Sequence, residues 1–75
     1  MIMPAAKIPL ATAERILKEA GAKRVSKEAA AEFALVLEKI AGNIASDAAK
    51  FAEHAGRKTI KSEDIEIAAK KVMNR

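Results

Sequence analysis

The feature that most constrains this chain is a helical apolar stripe too long for the protein that carries it. Phe33, Leu37, Ile40, Ile44, Ala48, Phe51 and Ala55 follow one another in steps of 4, 3, 4, 4, 3 and 4 residues. The mean step, about 3.67, lies close to the α-helical period. Gly42 and Asn43 interrupt the helical propensity, but the stripe passes through them in phase, so the pattern predicts one helix over 27–55 rather than two. At ~1.5 Å per residue that helix is a rod of roughly 43 Å. A compact globule of this length has a radius of gyration near ~11 Å, hence a diameter of roughly 30 Å. The rod cannot fit inside its own domain. Of the 51% of residues that are hydrophobic, nearly half are alanine, so there is little bulk to cover it. Chains this short rarely bury enough core to stand alone. A second copy or a similar chain must supply the cover, which predicts an obligate dimer with Phe33, Leu37, Ile40 and Ile44 in its core. The alanines at 41, 45, 48, 49 and 52, with Gly42, would let two rods approach closely where they cross. The competing arrangement is a three-helix monomer with an overhanging rod.

Two shorter helices flank the rod. Ala13, Ile16, Leu17 and Ala20 recur at i, i+3, i+4 and i+7, predicting a helix near Thr12–Ala20. Gly21 is placed to end it in a left-handed cap, and Ala22–Val25 follow as a loop. Ser26 is a good N-cap for the rod, with Glu28 beside the positive end of the helix dipole. Gly56 stops the rod, Arg57–Lys61 form a second loop, and Ser62 is expected to cap the last helix. In that helix Ile65, Ala68, Ala69 and Val72 make the stripe. Its acids (Glu63, Asp64, Glu66) come first and its bases (Lys70, Lys71) last, as the dipole favours. No internal repeat is evident beyond the alanine bias. The fold class is all-α: short, long, short.

Composition removes several functions. There is no cysteine, which excludes disulfides and thiolate metal sites and fits a reducing compartment. One histidine, His54, cannot build a structural zinc site or a catalytic triad, and no nucleophile–base set or glycine-rich phosphate loop is present. An enzyme is not expected, nor a metal or cofactor. Two aromatics, Phe33 and Phe51, argue against a base-stacking surface. No apolar run approaches the ~20 residues of a membrane span, and Met1–Lys7 lacks the apolar stretch of a signal peptide.

Charge points elsewhere. The net charge is +4, yet residues 27–55 hold three bases and five acids, and the rest of the chain 11 bases and five acids. Positive charge therefore belongs to the short helices, loops and termini. Lys23 and Arg24, with Lys27 nearby, cluster in the first loop; Arg57, Lys58 and Lys61 cluster in the second. A dimer would double both clusters and offer separated basic patches to a curving polyanion. On counts alone, scattered solubilising charge explains them as well.

The strings IPLATAERILKEAGAKRVS (8–26) and IASDAAKFAEHAGRKTIKSEDIEIAAKK (44–71) resemble archaeal histones, most densely in HAGRKTIKSEDIEIA (54–68). The resemblance covers 8–73 and identifies 8–75 as a tail-less histone-fold domain, with 1–7 as a short extension. It implies a homodimer, or a heterodimer with a paralogue, formed by a head-to-tail handshake of the long helices. The first loop of one protomer would then lie beside the second loop of the other. Such dimers package double-stranded DNA in the cytoplasm, on chromosomal DNA, and join into nucleosome-like superhelices.

Residue by residue, Arg24 matches the family's first-loop DNA-contacting arginine, and Lys58 and Thr59 the second-loop pair that meets phosphates. Arg15 matches the arginine associated with minor-groove insertion, and Lys18 a supporting position. Arg15 is equally spaced to pair with Glu19. Arg57 and Asp64 match an intrachain clamp, while Phe51, His54 and Asp64 match positions where one dimer meets the next. Gly21 matches the small residue where adjacent superhelical turns approach. Two departures reduce positive charge near the long helix: Glu53 stands where several relatives carry a base, and Gly42 where some carry arginine. A histone-fold adaptor in a transcription or repair complex, binding mainly protein, is the alternative function; fold alone permits it.

Overall fold

The structure, a computed structural model, describes residues 7–74. Among them run three α-helices and no strand: α1 (Leu10–Glu19), α2 (Lys27–His54) and α3 (Ser62–Met73). Loop L1 (20–26) joins α1 to α2, and loop L2 (55–61) joins α2 to α3. The expected extension at 1–7 lies almost wholly outside the described residues.

α1 begins two residues before the stripe suggests. Pro9 is its N-cap, and the Pro9 carbonyl accepts from the Thr12 and Ala13 N–H groups at 3.1 and 3.2 Å. A proline's missing donor does no harm at a helix start, where N–H groups lack intrahelical partners anyway. At the other end Gly21 takes φ 123°. The Gly21 N–H donates to the Lys18 carbonyl (3.0 Å) and the Ala22 N–H to the Leu17 carbonyl (3.1 Å). That pair of bonds is a Schellman stop.

α2 is one unbroken helix of 28 residues, Gly42 included, and spans roughly 42 Å at ~1.5 Å per residue. Ser26 caps it: the Ala29 N–H donates to Ser26 Oγ at 3.0 Å, as the third helical residue does to an N-cap serine. Gly56 ends it at φ 72° with a second Schellman stop. There the Gly56 and Arg57 N–H groups donate to the Glu53 and Ala52 carbonyls, both at 2.9 Å.

α3 departs from expectation at its start. Ser62 is its first helical residue, not its cap; the N-cap is Lys61. A lysine ammonium has no lone pair with which to cap an N–H. Asp64 supplies the acceptor from inside the helix, its Oδ2 taking the Lys61 N–H at 2.8 Å. This is the reach-back half of a capping box.

The chain divides within α2 into two compact units, Met1–Lys39 and Ile40–Arg75. In the first, Ala13 of α1 and Ala30 and Ala34 of α2 are buried; in the second, Ala48 and Ala52 of α2 and Ala68 and Asp64 of α3. In the second unit Lys71 of α3 also pairs with Asp47 of α2 at 3.8 Å. In the first, the Lys7 N–H donates to Glu38 Oε1 at 3.3 Å.

The core among the described residues is thus alanine. No large side chain is fully buried. Phe33, Leu37, Ile40, Ile44 and Phe51 are only partly covered, and Leu10, Ile16, Val36, Ile60, Ile65, Ile67 and Met73 are exposed. Each buried methyl contributes ~0.8 kcal/mol, while ordering a residue costs ~1–2 kcal/mol. One sequence expectation is corrected here. Ala48 and Ala52 are already enclosed within the second unit (0% and 2% exposed). Of the small residues expected at the crossing, Ala41, Gly42, Ala45 and Ala49 remain exposed.

Candidate nucleic-acid interface

L2 is built around one carboxylate. The Arg57 guanidinium donates twice to Asp64, Nη1 to Oδ2 at 3.0 Å and Nη2 to Oδ1 at 3.1 Å, and Nη1 also donates to the Thr59 carbonyl at 2.9 Å. With the Lys61 N–H on Oδ2, the buried Asp64 accepts three bonds and is 3% exposed. Two of these come from a fork whose planar geometry matches a carboxylate. The Arg57 hydrogen bonds, then the Lys61 N–H, hold the Asp64 carboxyl below the usual carboxylate range. The same pair raises the Arg57 guanidinium, against a smaller opposing effect of burial. Arg57 is therefore turned inward and committed to loop structure. Its sequence neighbours Lys58 and Thr59 are exposed.

L1 has no such clamp, because Ala22 stands where L2 has Arg57. Its order comes from the Schellman stop at Gly21 and the Ser26 cap. Lys23 and Arg24 are exposed, and Val25 is partly covered. On α1, Arg15 and Lys18 are exposed. The described ion pairs are Arg57–Asp64 and Lys71–Asp47. Among the described residues Arg15 does not pair with Glu19, and Arg24 and Lys58 remain free of carboxylates.

The two loops correspond station by station, a repeat that side-chain identities barely register. Each is seven residues long and opens with an Ala-Gly Schellman stop. Each bends two residues after the glycine, at Lys23 and at Lys58, and enters the next helix through an N-cap. Even the caps are complementary halves of one motif. In L1 the N-cap side chain, Ser26, accepts from the third helical N–H; in L2 the third helical side chain, Asp64, accepts from the N-cap N–H. Only alanine, glycine and lysine are identical at matched positions, so the repeat lies in backbone hydrogen bonds more than in side chains.

A helix–loop–helix–loop–helix plan with two matched basic loops can be compared with known families. The family described as histone-like transcription factor (CBF/NF-Y) and archaeal histone matches residues 6–69. The chain belongs to this family. Its three helices are those of the histone fold. The chain is similar to a HAN1 archaeal histone of Thermococcus zilligii, 46% identical over 65 residues, which are 87% of this chain and 97% of that protein. It is also similar to probable archaeal histone 3 of Methanocaldococcus jannaschii, 51% identical over 63 residues, 84% of this chain and 94% of that one.

The remaining positions of interest in this histone-fold chain fall as follows. His54 closes α2 and is exposed, a basic side chain in the last turn. Phe51, one turn earlier, is partly covered. Asp64 already serves Arg57 and Lys61, so within the chain only Oδ1 keeps an acceptor position open. Gly21 is exposed, with no atom within 4 Å of where a Cβ would stand. Among the described residues no three of His, Asp and Glu group closely enough to hold a metal ion. No described helix is long and apolar enough to cross a membrane.

Proposed function

We propose that this chain is a DNA-packaging histone whose working unit is a handshake dimer, a homodimer or a heterodimer with a paralogue. Residues 8–75 act as the histone-fold domain. Arg24 in L1 and Lys58 and Thr59 in L2 bind phosphates, with Arg15 reaching a minor groove and Lys18 supporting it from α1. The observation that carries this reading is that Arg24 and Lys58 are exposed and, among the described residues, free of ion pairs. Meanwhile Arg57, the neighbouring L2 base, is held inward by Asp64. Lysine and arginine beside loop N–H groups neutralise phosphates without consulting the base sequence. A narrow minor groove attracts a guanidinium for the same reason of charge. Eukaryotic histone octamers insert arginines wherever the minor groove of wrapped DNA faces inward, and Arg15 is assigned by that analogy.

Dimerisation is supported by the partly covered row Phe33, Leu37, Ile40 and Ile44, which a crossing α2 would enclose. Dimers join further through Phe51, His54 and Asp64 into a superhelix on DNA, where Gly21 leaves room between turns. The protein acts on chromosomal DNA, without an enzymatic step or a cofactor.

The test is affinity for several unrelated duplexes of equal length across a salt series. Equal affinities, falling steeply with salt, support packaging. The adaptor reading draws on the transcription factors that share the family. Absence of duplex binding at moderate salt would favour it and direct the search to a protein partner.

A further inference from the structure

We propose that Lys23 is a phosphate-binding residue of L1, holding there the station that Lys58 holds in L2; this rests on the DNA-packaging reading above. L1 and L2 place the two lysines alike. Counting from the glycine of each Schellman stop, Lys23 and Lys58 are both the second residue and both sit at the bend. Each loop then takes four more residues to reach the first residue of the next helix, Lys27 or Ser62. The same backbone helix stop and the same N-cap carbonyl bond bracket both seven-residue segments, so the count of residues from each helix end is the same, although the glycine turns differ (φ 123° at Gly21, 72° at Gly56). Lys23 therefore stands in L1 at the position Lys58 holds in L2, and both are exposed.

The neighbouring stations strengthen the case. The residue before Lys58 is Arg57, drawn inward by Asp64; the residue before Lys23 is Ala22, too short to shield or compete with it. The residue after is Arg24 in L1 and Thr59 in L2. L1 thus presents two adjacent cations where L2 presents a cation and a hydroxyl. Among the described residues no carboxylate holds Lys23 in an ion pair. A lysine ammonium on a flexible four-carbon stem binds a phosphate as a point charge, with no demand for a fixed fork geometry.

The experiment measures duplex affinity over a salt series for the full chain and for Lys23→Ala, Lys58→Ala and Lys39→Ala. Lys39 is exposed on α2, outside both loops, and reports the effect of net charge alone. A dimer carries two copies of each residue, so loss of one phosphate contact per copy flattens the log–log salt slope by about 1.8. The proposal expects Lys23→Ala to match Lys58→Ala in this, equally on unrelated sequences, with the thermal midpoint unchanged and Lys23→Arg restoring the slope. A Lys23→Ala slope no flatter than that of Lys39→Ala, while Lys58→Ala is flattened, overturns the proposal and leaves the packaging function standing. A wild-type chain that binds no duplex overturns both.

Discussion

At the scale of single residues, L2 separates two kinds of basic side chain that look alike in sequence. Arg57 and Lys58 are adjacent, yet one is folded onto Asp64 and the other is exposed. Their substitutions should differ accordingly. Arg24→Ala and Lys58→Ala are expected to weaken duplex binding about uniformly over sequences and to flatten the salt slope, with unchanged thermal midpoints. Affinity and slope unaltered in both variants would contradict the loop assignment. Asp64→Asn is expected to lower the thermal midpoint at neutral pH, since it leaves the Arg57 fork facing a neutral group. The pH dependence follows from the lowered Asp64 carboxyl. A carboxyl depressed in the fold stabilises fully above its unfolded value, ~3.9, and that contribution disappears as pH falls through the folded value. The deficit of Asp64→Asn against wild type should therefore be largest near neutral pH and shrink in acid, as the wild-type carboxylate is protonated and its pair with Arg57 is lost. A deficit that is constant over this range would mean the ion pair is not its cause.

At the scale of elements, glycine decides where two helices stop. Gly56 has φ 72°, near the left-handed helical minimum; Gly21 has φ 123°, far from it. An L-residue at that minimum costs roughly 1–2 kcal/mol. Gly56→Ala should lose about that much stability in urea unfolding at fixed protein concentration, and Gly21→Ala more, because alanine there must first rebuild the turn. Beyond the adjacent residues neither position has an atom within 4 Å of a new Cβ, so packing against the rest of the chain does not contribute. Equal stability of the two variants would contradict the backbone argument.

Elements are also where the sequence is most informative. The glycine stops, the Ser26 cap and the unbroken α2 all follow from local rules that act on neighbouring residues. The start of α1 at Leu10 is hidden because its N-cap, Pro9, has no side-chain acceptor and so leaves no capping signature. The Lys61 cap is hidden because the capping group belongs to Asp64, three residues on. Ser62, a good capping type one place too late, draws attention instead. Positions in the candidate site come mainly from resemblance. Exposure of Lys58 and withdrawal of Arg57 depend on a contact spanning seven residues, which charge counts do not register.

At the scale of the whole molecule, the constraint is the uncovered apolar surface. Alanine loses almost no side-chain freedom on burial, but six buried alanines leave Phe33, Leu37, Ile40 and Ile44 to a partner. Assembly beyond the dimer is proposed to run through Phe51, His54 and Asp64. His54→Ala is expected to leave the dimer intact and to restrict assemblies on DNA to short pieces. Sedimentation of loaded DNA with undiminished oligomers would contradict that role. Glu53 adds a negative charge to the exposed surface of α2 and Gly42 adds none.

Whether dimers wrap DNA and join along it can be read from protection against micrococcal nuclease. Random-sequence plasmid is loaded with increasing protein and digested at moderate salt. The expected result is a ladder of protected fragments growing by one constant increment, each step one further dimer. Complete digestion at every loading would contradict it.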